Sequence, residues 1–236
     1  MKASVLDASG AMVADRVRVP TTYPCPPDML VDKVAAMAAP LPRAERMSAG
    51  FPGMVRRGCV LTAPHFVTIG GPGTDVDEDL LRRWTGFDLA GAFTDRLGMA
   101  AKVANDADLQ GAAVVRGHGL ELVLTLGTGF GTALFFDGAL LPHLELAHHP
   151  FRKGQTYNEQ VGEAARHDVG DERWKRRVDK AIGRMRALTF FDHCYVGGGN
   201  ARRLDPSHLG DQVTVVDNGA GILGGISLWA PGHLGL

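Results

Sequence analysis

Cysteine is scarce in this sequence: three residues in 236, Cys25, Cys59 and Cys194, odd in number and far apart. A disulfide framework needs closely matched pairs, so this pattern argues against one and fits a reduced, cytoplasmic compartment. Charge of either sign is also spare. The 25 basic and 26 acidic residues leave a formal net charge of −1. That gives no basic footprint for nucleic acid and no polybasic patch for a membrane surface. No apolar run reaches the length of a membrane span, and the first residues lack a signal peptide's apolar core. Internal repeats and low-complexity tracts are missing too. What is present is an ordinary globular balance, 45% hydrophobic and 22% charged. A chain of this length can bury a sizeable core in one domain or in two small lobes.

Glycine is the abundant residue, 31 in all, and one glycine cluster organises the rest. Residues 122–138 read Leu-Val-Leu-Thr-Leu-Gly-Thr-Gly-Phe-Gly-Thr-Ala-Leu-Phe-Phe-Asp-Gly. Apolar runs over 122–126 and 133–136 have strand length and strand composition. Between them stand Gly127, Gly129 and Gly131 with Thr128 and Thr132, and Asp137-Gly138 is a turn signal. The spacing predicts a strand, a glycine loop and a second strand. Such a loop lets backbone N–H groups approach an anion, or it only bends the chain tightly. It is not a Walker A loop, which needs Lys-Ser/Thr opening a helix.

Along the chain the pattern predicts a hairpin over 3–19, a proline-rich loop over 20–27, and a helix over 29–39 with Asp28 as N-cap. Short strands are expected at 47–51 and 58–61, helices at 77–84 and 88–97, and a strand at 101–104. The dipeptide Asn105-Asp106 then leads into a helix over 109–115. A polar segment fills 144–171, followed by a basic helix over 172–188. A buried strand over 190–196 ends at Gly197-Gly198-Gly199, and a short helix over 200–204, a strand over 213–216 and a helix over 218–228 complete the order.

Several residues could carry chemistry. Asn105-Asp106 closes a predicted strand, at the end where open α/β sheets place ligands. Asp106 could take a proton from an attacking hydroxyl that Asn105 orients. Either Asp106 or Asp108 could instead cap a helix. Glu145 and His148 suit a polyol's vicinal hydroxyls, or belong to a solvated loop. Gly198 and Gly221 could let phosphates or a base approach the backbone, or could serve close packing. Lys175, Arg176, Arg177, Lys180, Arg184 and Arg186 lie along one helix, either as a solvated face or as help for a polyanion. His143, His148 and His149 lack the cysteine partners or His-Glu-x-x-His spacing of a zinc site.

Taken in order, six stretches resemble the ROK family of sugar kinases, and within it the polyphosphate glucokinase branch. They are Ala49-Gly50-Phe51-Pro52-Gly53, Val103-Ala104-Asn105-Asp106-Ala107-Asp108, the run from Leu124 through Thr132, Glu145-Leu146-Ala147-His148, Val196-Gly197-Gly198-Gly199, and Asn218-Gly219-Ala220-Gly221-Ile222. The resemblance spans nearly the whole chain. It implies an α/β, two-lobed actin/hexokinase/Hsp70-like (ribonuclease H-like) fold, with a sugar-side lobe over 1–106 and a phosphate-side lobe over 107–236. It implies phosphoryl transfer from polyphosphate or ATP, with Mg2+, to the 6-hydroxyl of glucose or a related hexose. By position, Asp106 is the general base and Asn105, Glu145, His148 and Glu159 bind the sugar. Lys2, Thr125, Gly127, Thr128, Gly129, Gly198 and Gly221 border the phosphates or nucleotide. A homodimer is implied, without nucleic acid or membrane as partner. The alternative is a non-catalytic sugar-binding protein of the same family.

Three departures are visible. The family opens on an Asp-x-Gly-x-Thr-x-x-Lys loop, of which only Lys2 remains, so the N-terminal lobe is expected to lack its first strand and first phosphate loop, and phosphoryl transfer is expected to be weak or absent for that reason. Ala147 stands where the family has glycine, and Pro150 where the polyphosphate branch has glutamate, which bears on sugar preference. The zinc cysteines of many relatives are absent, and no structural metal is expected.

Overall fold

The structure is a computed structural model that describes residues 1–71, 73–217 and 224–229. The chain forms two compact units. One comprises Met1–Leu109, to which residues 225–229 return, and the other is Gln110–Gly224.

In the first unit, β1 (Lys2–Ala3) pairs antiparallel with β2 (Val17–Arg18), and Leu6 bridges Met12 further along the arms. The expected hairpin is therefore two short contacts around a turn in which Asp7 accepts the N–H groups of Ser9 and Ala11. Helix α1 (Pro27–Ala38) starts two residues before its expected first residue. Proline tolerates the first helical position because that N–H would have no helical partner. Asp28 thus lies within the first turn, near the positive end of the helix dipole, and Pro26 holds the N-cap position.

Strand β3 (Arg46–Phe51) is followed by the hairpin of β4 (Val55–Arg56) and β5 (Cys59–Val60), then by α2 (Glu78–Trp84) and α3 (Leu89–Leu97). Asp77 and Asp88 cap the two helices, Asp77 accepting the N–H groups of Asp79 and Leu80 and Asp88 that of Gly91. Strand β6 (Ala100–Asn105) runs parallel to β3 with Phe51 opposite Asn105. Among the described residues β3 has no strand neighbour but β6. The core beneath is aromatic: Phe51, Phe66 and Trp84 lie with ring centroids 5.4 Å apart. Helix α4 (Asp106–Ala112) follows β6 without a break, three residues earlier than its apolar pattern suggests.

The second unit is built on a five-stranded sheet. Its members are β7 (Leu120–Leu126), β8 (Phe130–Phe136), β9 (Ala139–Leu140), β12 (His193–Gly197) and β13 (Val213–Val215), in the order β13-β12-β7-β8-β9. β7, β12 and β13 are parallel, and β8 and β9 return antiparallel. Between β9 and β12 come the hairpin β10 (Pro150–Arg152) and β11 (Gln155–Thr156), then α5 (Tyr157–Val161), α6 (Glu163–Val169) and α7 (Asp171–Thr189). The segment read as polar thus contains two helices.

Leu122, Leu124 and Leu126 share a sheet face, as period-two alternation requires, and join one core with Trp174, Val178, Ala181 and Met185 of α7. Glu121 belongs to the opposite face and is buried. Its carboxylate accepts the N–H groups of Arg116, Gly117 and His118 and the Tyr195 hydroxyl at 2.7–3.2 Å. Short α8 (Gly224–Ser227) leads back to the first unit. There Trp229 lies against Arg46 and Lys102 at 5.3 and 4.9 Å, and donates to Ser48 Oγ. No described helix is long and apolar enough to cross a membrane.

Candidate active site

The β7–β8 ladder closes at Leu126 opposite Phe130, leaving Gly127, Thr128 and Gly129 as a three-residue turn. Strand β8 therefore includes Gly131 and Thr132, which composition placed in the loop. Thr132 is buried and donates its hydroxyl to the Leu144 carbonyl.

The turn is held from three sides. The Gly127 N–H donates to the Gly129 carbonyl at 3.1 Å. The first N–H of α6, on Glu163, donates to the carbonyls of Gly127 and Thr128 at 3.1 and 3.3 Å. Asn200 donates its side-chain amide to the Gly127 carbonyl (3.2 Å) and its N–H to the Leu126 carbonyl (2.9 Å). Asn158 accepts the Phe130 N–H at 2.7 Å. The carbonyls of the turn are thus drawn towards protein donors. Among the described residues the N–H groups of Thr128 and Gly129 meet no acceptor, and Thr128 is exposed. A turn with its carbonyls tied back and successive N–H groups left for an outside acceptor suits an anion.

The glycines here have separate reasons. A Cβ on Gly129 would lie 2.8 Å from Asn158 Oδ1, whereas one on Gly127 would meet nothing within 4 Å. Gly198 has φ +89°, and its Cβ would fall 2.5 Å from the Leu126 carbonyl oxygen. It lets the chain leaving β12 pass against the Leu126 backbone at the end of β7, which places it beside the turn in a packing role. Thr125, two residues before the turn, pairs with Gly131 and Gly197 across the sheet. Gly221 lies outside the described residues.

Next to this turn the structure gathers the other expected residues of the second unit. Ala147 accepts the Asn158 N–H at 3.0 Å, and His149 accepts the Tyr157 N–H at 3.2 Å, so the 145–149 loop is tied to the start of α5. Glu145 accepts the Ala147 N–H at 3.2 Å and lies 3.9 Å from His143. Glu145 and His148 are both exposed. Glu159 accepts the N–H and hydroxyl of Thr156 at 2.8 and 2.9 Å and completes a capping box. Those two bonds, with a smaller contribution from nearby His148, hold its carboxyl below the usual range. Asn158 therefore touches both features: its side chain holds the glycine turn and its N–H holds the 145–149 loop. The sequence reading missed it, although Thr156-x-x-Glu159 is a helix-start signature that would have located α5.

In the first unit, Asn105 and Asp106 stand at the carboxyl end of β6. Asn105 is only 6% exposed. It accepts the Ala107 N–H at 2.8 Å and donates to the Gly53 carbonyl at 2.9 Å, so this residue caps α4 and fixes the Gly-Phe-Pro-Gly turn. Gly53 has no room for a side chain, since a Cβ would come 2.1 Å from the Thr62 carbonyl oxygen. Asp106 is exposed in the first turn of α4, while Asp108 is buried. Lys2 is exposed on β1, opposite Arg18. No described group of three His, Cys, Asp or Glu is placed to hold a metal ion.

Comparison with known proteins agrees along the chain. The ROK family profile matches residues 1–143. A polyphosphate glucokinase of Mycobacterium tuberculosis is 26% identical over 240 residues, covering 95% of this chain and 85% of that protein. The crystal structure of an inorganic polyphosphate/ATP-glucomannokinase from Arthrobacter sp. strain KM superposes with a TM-score of 0.77 at 28% identity, over 95% of this chain and 92% of that one. A ROK family glucokinase from Streptomyces griseus, solved with glucose and AMPPNP, shares the fold with a TM-score of 0.68 at 18% identity, over 95% and 94%. With an α/β fold matched over nearly its full length and the family profile covering more than half of it, this chain belongs to the ROK family.

Proposed function

We propose that this chain is a sugar kinase that transfers a phosphoryl group from polyphosphate or ATP to the 6-hydroxyl of glucose or a close hexose. The observation that carries the reading is the 127–129 turn, whose carbonyls are tied back while two N–H groups have no acceptor among the described residues. Phosphoryl transfer depends mainly on positioning and on donors aimed at phosphate oxygens, which is what such a turn supplies. Thr128 and Gly129 bind the donor phosphates in this reading, and Gly198 shapes the turn from behind. Glu145 and His148 hold sugar hydroxyls, with Glu159 beside them.

Asp106 accepts the proton from the 6-hydroxyl as its oxygen bonds to phosphorus, and the bridging oxygen of the donor leaves with the bonding electrons. Asn105 keeps the backbone at Asp106 fixed. A magnesium ion arriving with the donor takes most of its ligands from phosphate and water. That mode needs no dedicated cage of protein ligands.

Hexose-dependent phosphate transfer from polyphosphate and from ATP, measured on the wild-type chain and on Asp106→Asn, tests the reading. Turnover is expected in the wild type and to fall by roughly 10²–10⁴ in the variant, with glucose binding retained by calorimetry. Unchanged turnover in the variant would remove Asp106 as base. Glucose binding with no transfer from either donor would favour a sugar-binding protein instead.

A further inference from the structure

The catalytic reading leaves the basic helix α7 unused. Arg173, Arg176, Arg177, Lys180 and Arg184 lie on it. At 3.6 residues per turn they fall within an arc of about 100°. Asp171, Glu172 and Asp179 fall outside that arc. In a chain of net charge −1, five cations with no anion among them form a marked local excess of positive charge.

Arg173, Arg176, Lys180 and Arg184 are exposed. The first three form no hydrogen bond or ion pair with another described residue. Arg177 and Arg184 moor the strip. Arg177 is buried, donates to the Gln160 carbonyl at 3.1 Å, and has a buried Nε without a partner. Arg184 donates to the Phe151 carbonyl and covers the Phe151 ring at 4.7 Å. Arg152, on the neighbouring β10, adds a sixth cation. Burial and then the charges of Arg173 and Arg152 lower the proton affinity of Arg177, with Asp168 opposing them. The guanidiniums of Arg173 and Arg152 are thus close enough to Arg177 to repel it, with Asp168 beside Arg177 and Glu172 near Arg176 offsetting part of the charge.

We propose that this face of α7, with Arg152, is a docking track for a linear polyphosphate chain, separate from the turn that binds the reacting phosphates. The proposal rests on the polyphosphate-donor reading above. From Arg173 to Arg184 the strip runs about 16 Å, so a long chain can engage all of it while a short donor held at the turn cannot. Other polyanions fit less well. Single-stranded nucleic acid is held by bases stacking on exposed aromatics, and the aromatic residue of α7, Trp174, is fully buried. A membrane-surface helix inserts an apolar face, and that of α7 is already committed to the core.

The test compares the full wild-type chain with the triple variant Arg173→Gln, Arg176→Gln, Lys180→Gln. Binding is read by fluorescence anisotropy with labelled long-chain polyphosphate, with tripolyphosphate as the short ligand, across a salt series. The affinity for long-chain polyphosphate is expected to fall about tenfold or more and its salt slope by about two to three, with tripolyphosphate binding and the KM for ATP unchanged. Equal losses for long and short ligands, or no loss for the long one, overturn the proposal. Single-stranded DNA or anionic vesicles bound as tightly, and lost in the same variant, also overturn it. If the triple variant melts early, Arg173→Gln with Lys180→Gln is read in the same way. A wild-type chain that transfers no phosphate would end the kinase reading, and the binding measurement would still decide this proposal.

Discussion

Replacing Asn158 with alanine should loosen the glycine turn while leaving the neighbouring loop in place. The side-chain oxygen at 2.7 Å is the acceptor for the Phe130 N–H, on a residue only 2% exposed. A buried donor stripped of its acceptor costs about 1–3 kcal/mol. The two backbone bonds of Asn158, to Ala147 and Gly162, survive the substitution, because the main chain makes them. Amide exchange at Phe130, followed by NMR on the full chain, should accelerate by roughly five- to 150-fold, since each 1.4 kcal/mol is tenfold. Exchange over 145–149 should not change.

The same contact can be probed from the opposite side. Gly129→Ala places a Cβ 2.8 Å from Asn158 Oδ1, and the Gly129 backbone is outside the left-handed region, so the collision is the main cost. Overpacking of this kind costs about 1–3 kcal/mol, and most of it should vanish once Asn158 is alanine. The double-mutant cycle is therefore expected to be non-additive by about 1–2 kcal/mol. Additive effects, or unaltered exchange at Phe130, would refute the view that Asn158 sets the turn.

Three other outcomes follow from particular residues. Burial disfavours the charge on Glu121, but the N–H groups of Arg116, Gly117 and His118 and the Tyr195 hydroxyl outweigh it and hold its pKa below the ordinary 4.5. Its contribution is present above that value and disappears as pH falls through the lower folded one, so Glu121→Gln should flatten the acid side of a stability–pH scan; parallel curves would contradict this. Gly198→Ala combines a positive φ with a backbone collision and should destabilise the chain by at least about 2 kcal/mol in thermal unfolding, and a silent substitution would show that the chain leaving β12 does not pass Leu126 so closely. Asn105→Asp should retain the cap on α4 and lose the donor to Gly53, whereas Asn105→Ala loses both and should cost about 1–2 kcal/mol more; equal melting temperatures for the two would remove the capping role.

The β7–β8 hairpin was legible because apolar residues alternate on either side of the glycines. The extent of β8 was not, because Gly131 and Thr132 have loop composition and become strand only through pairing with Thr125 and Leu124. Helices α5 and α6 were hidden by polarity, although the Thr156–Glu159 capping box marked where the first begins. Asp106 and Asp108 are the acidic candidates for the cap, yet the cap is Asn105, because the helix starts three residues before its apolar pattern does. The brace from Asn158 to Phe130 joins residues 28 positions apart, and no local pattern announces such a bond.

Trp229 gives the chain an unusual order of completion. Its indole lies against Arg46 and Lys102 and bonds to Ser48, so some of the last described residues finish the unit that was synthesised first. The second unit, by contrast, is one continuous stretch. During synthesis it can close on its own material, while the earlier unit waits for a tryptophan that emerges more than a hundred residues later.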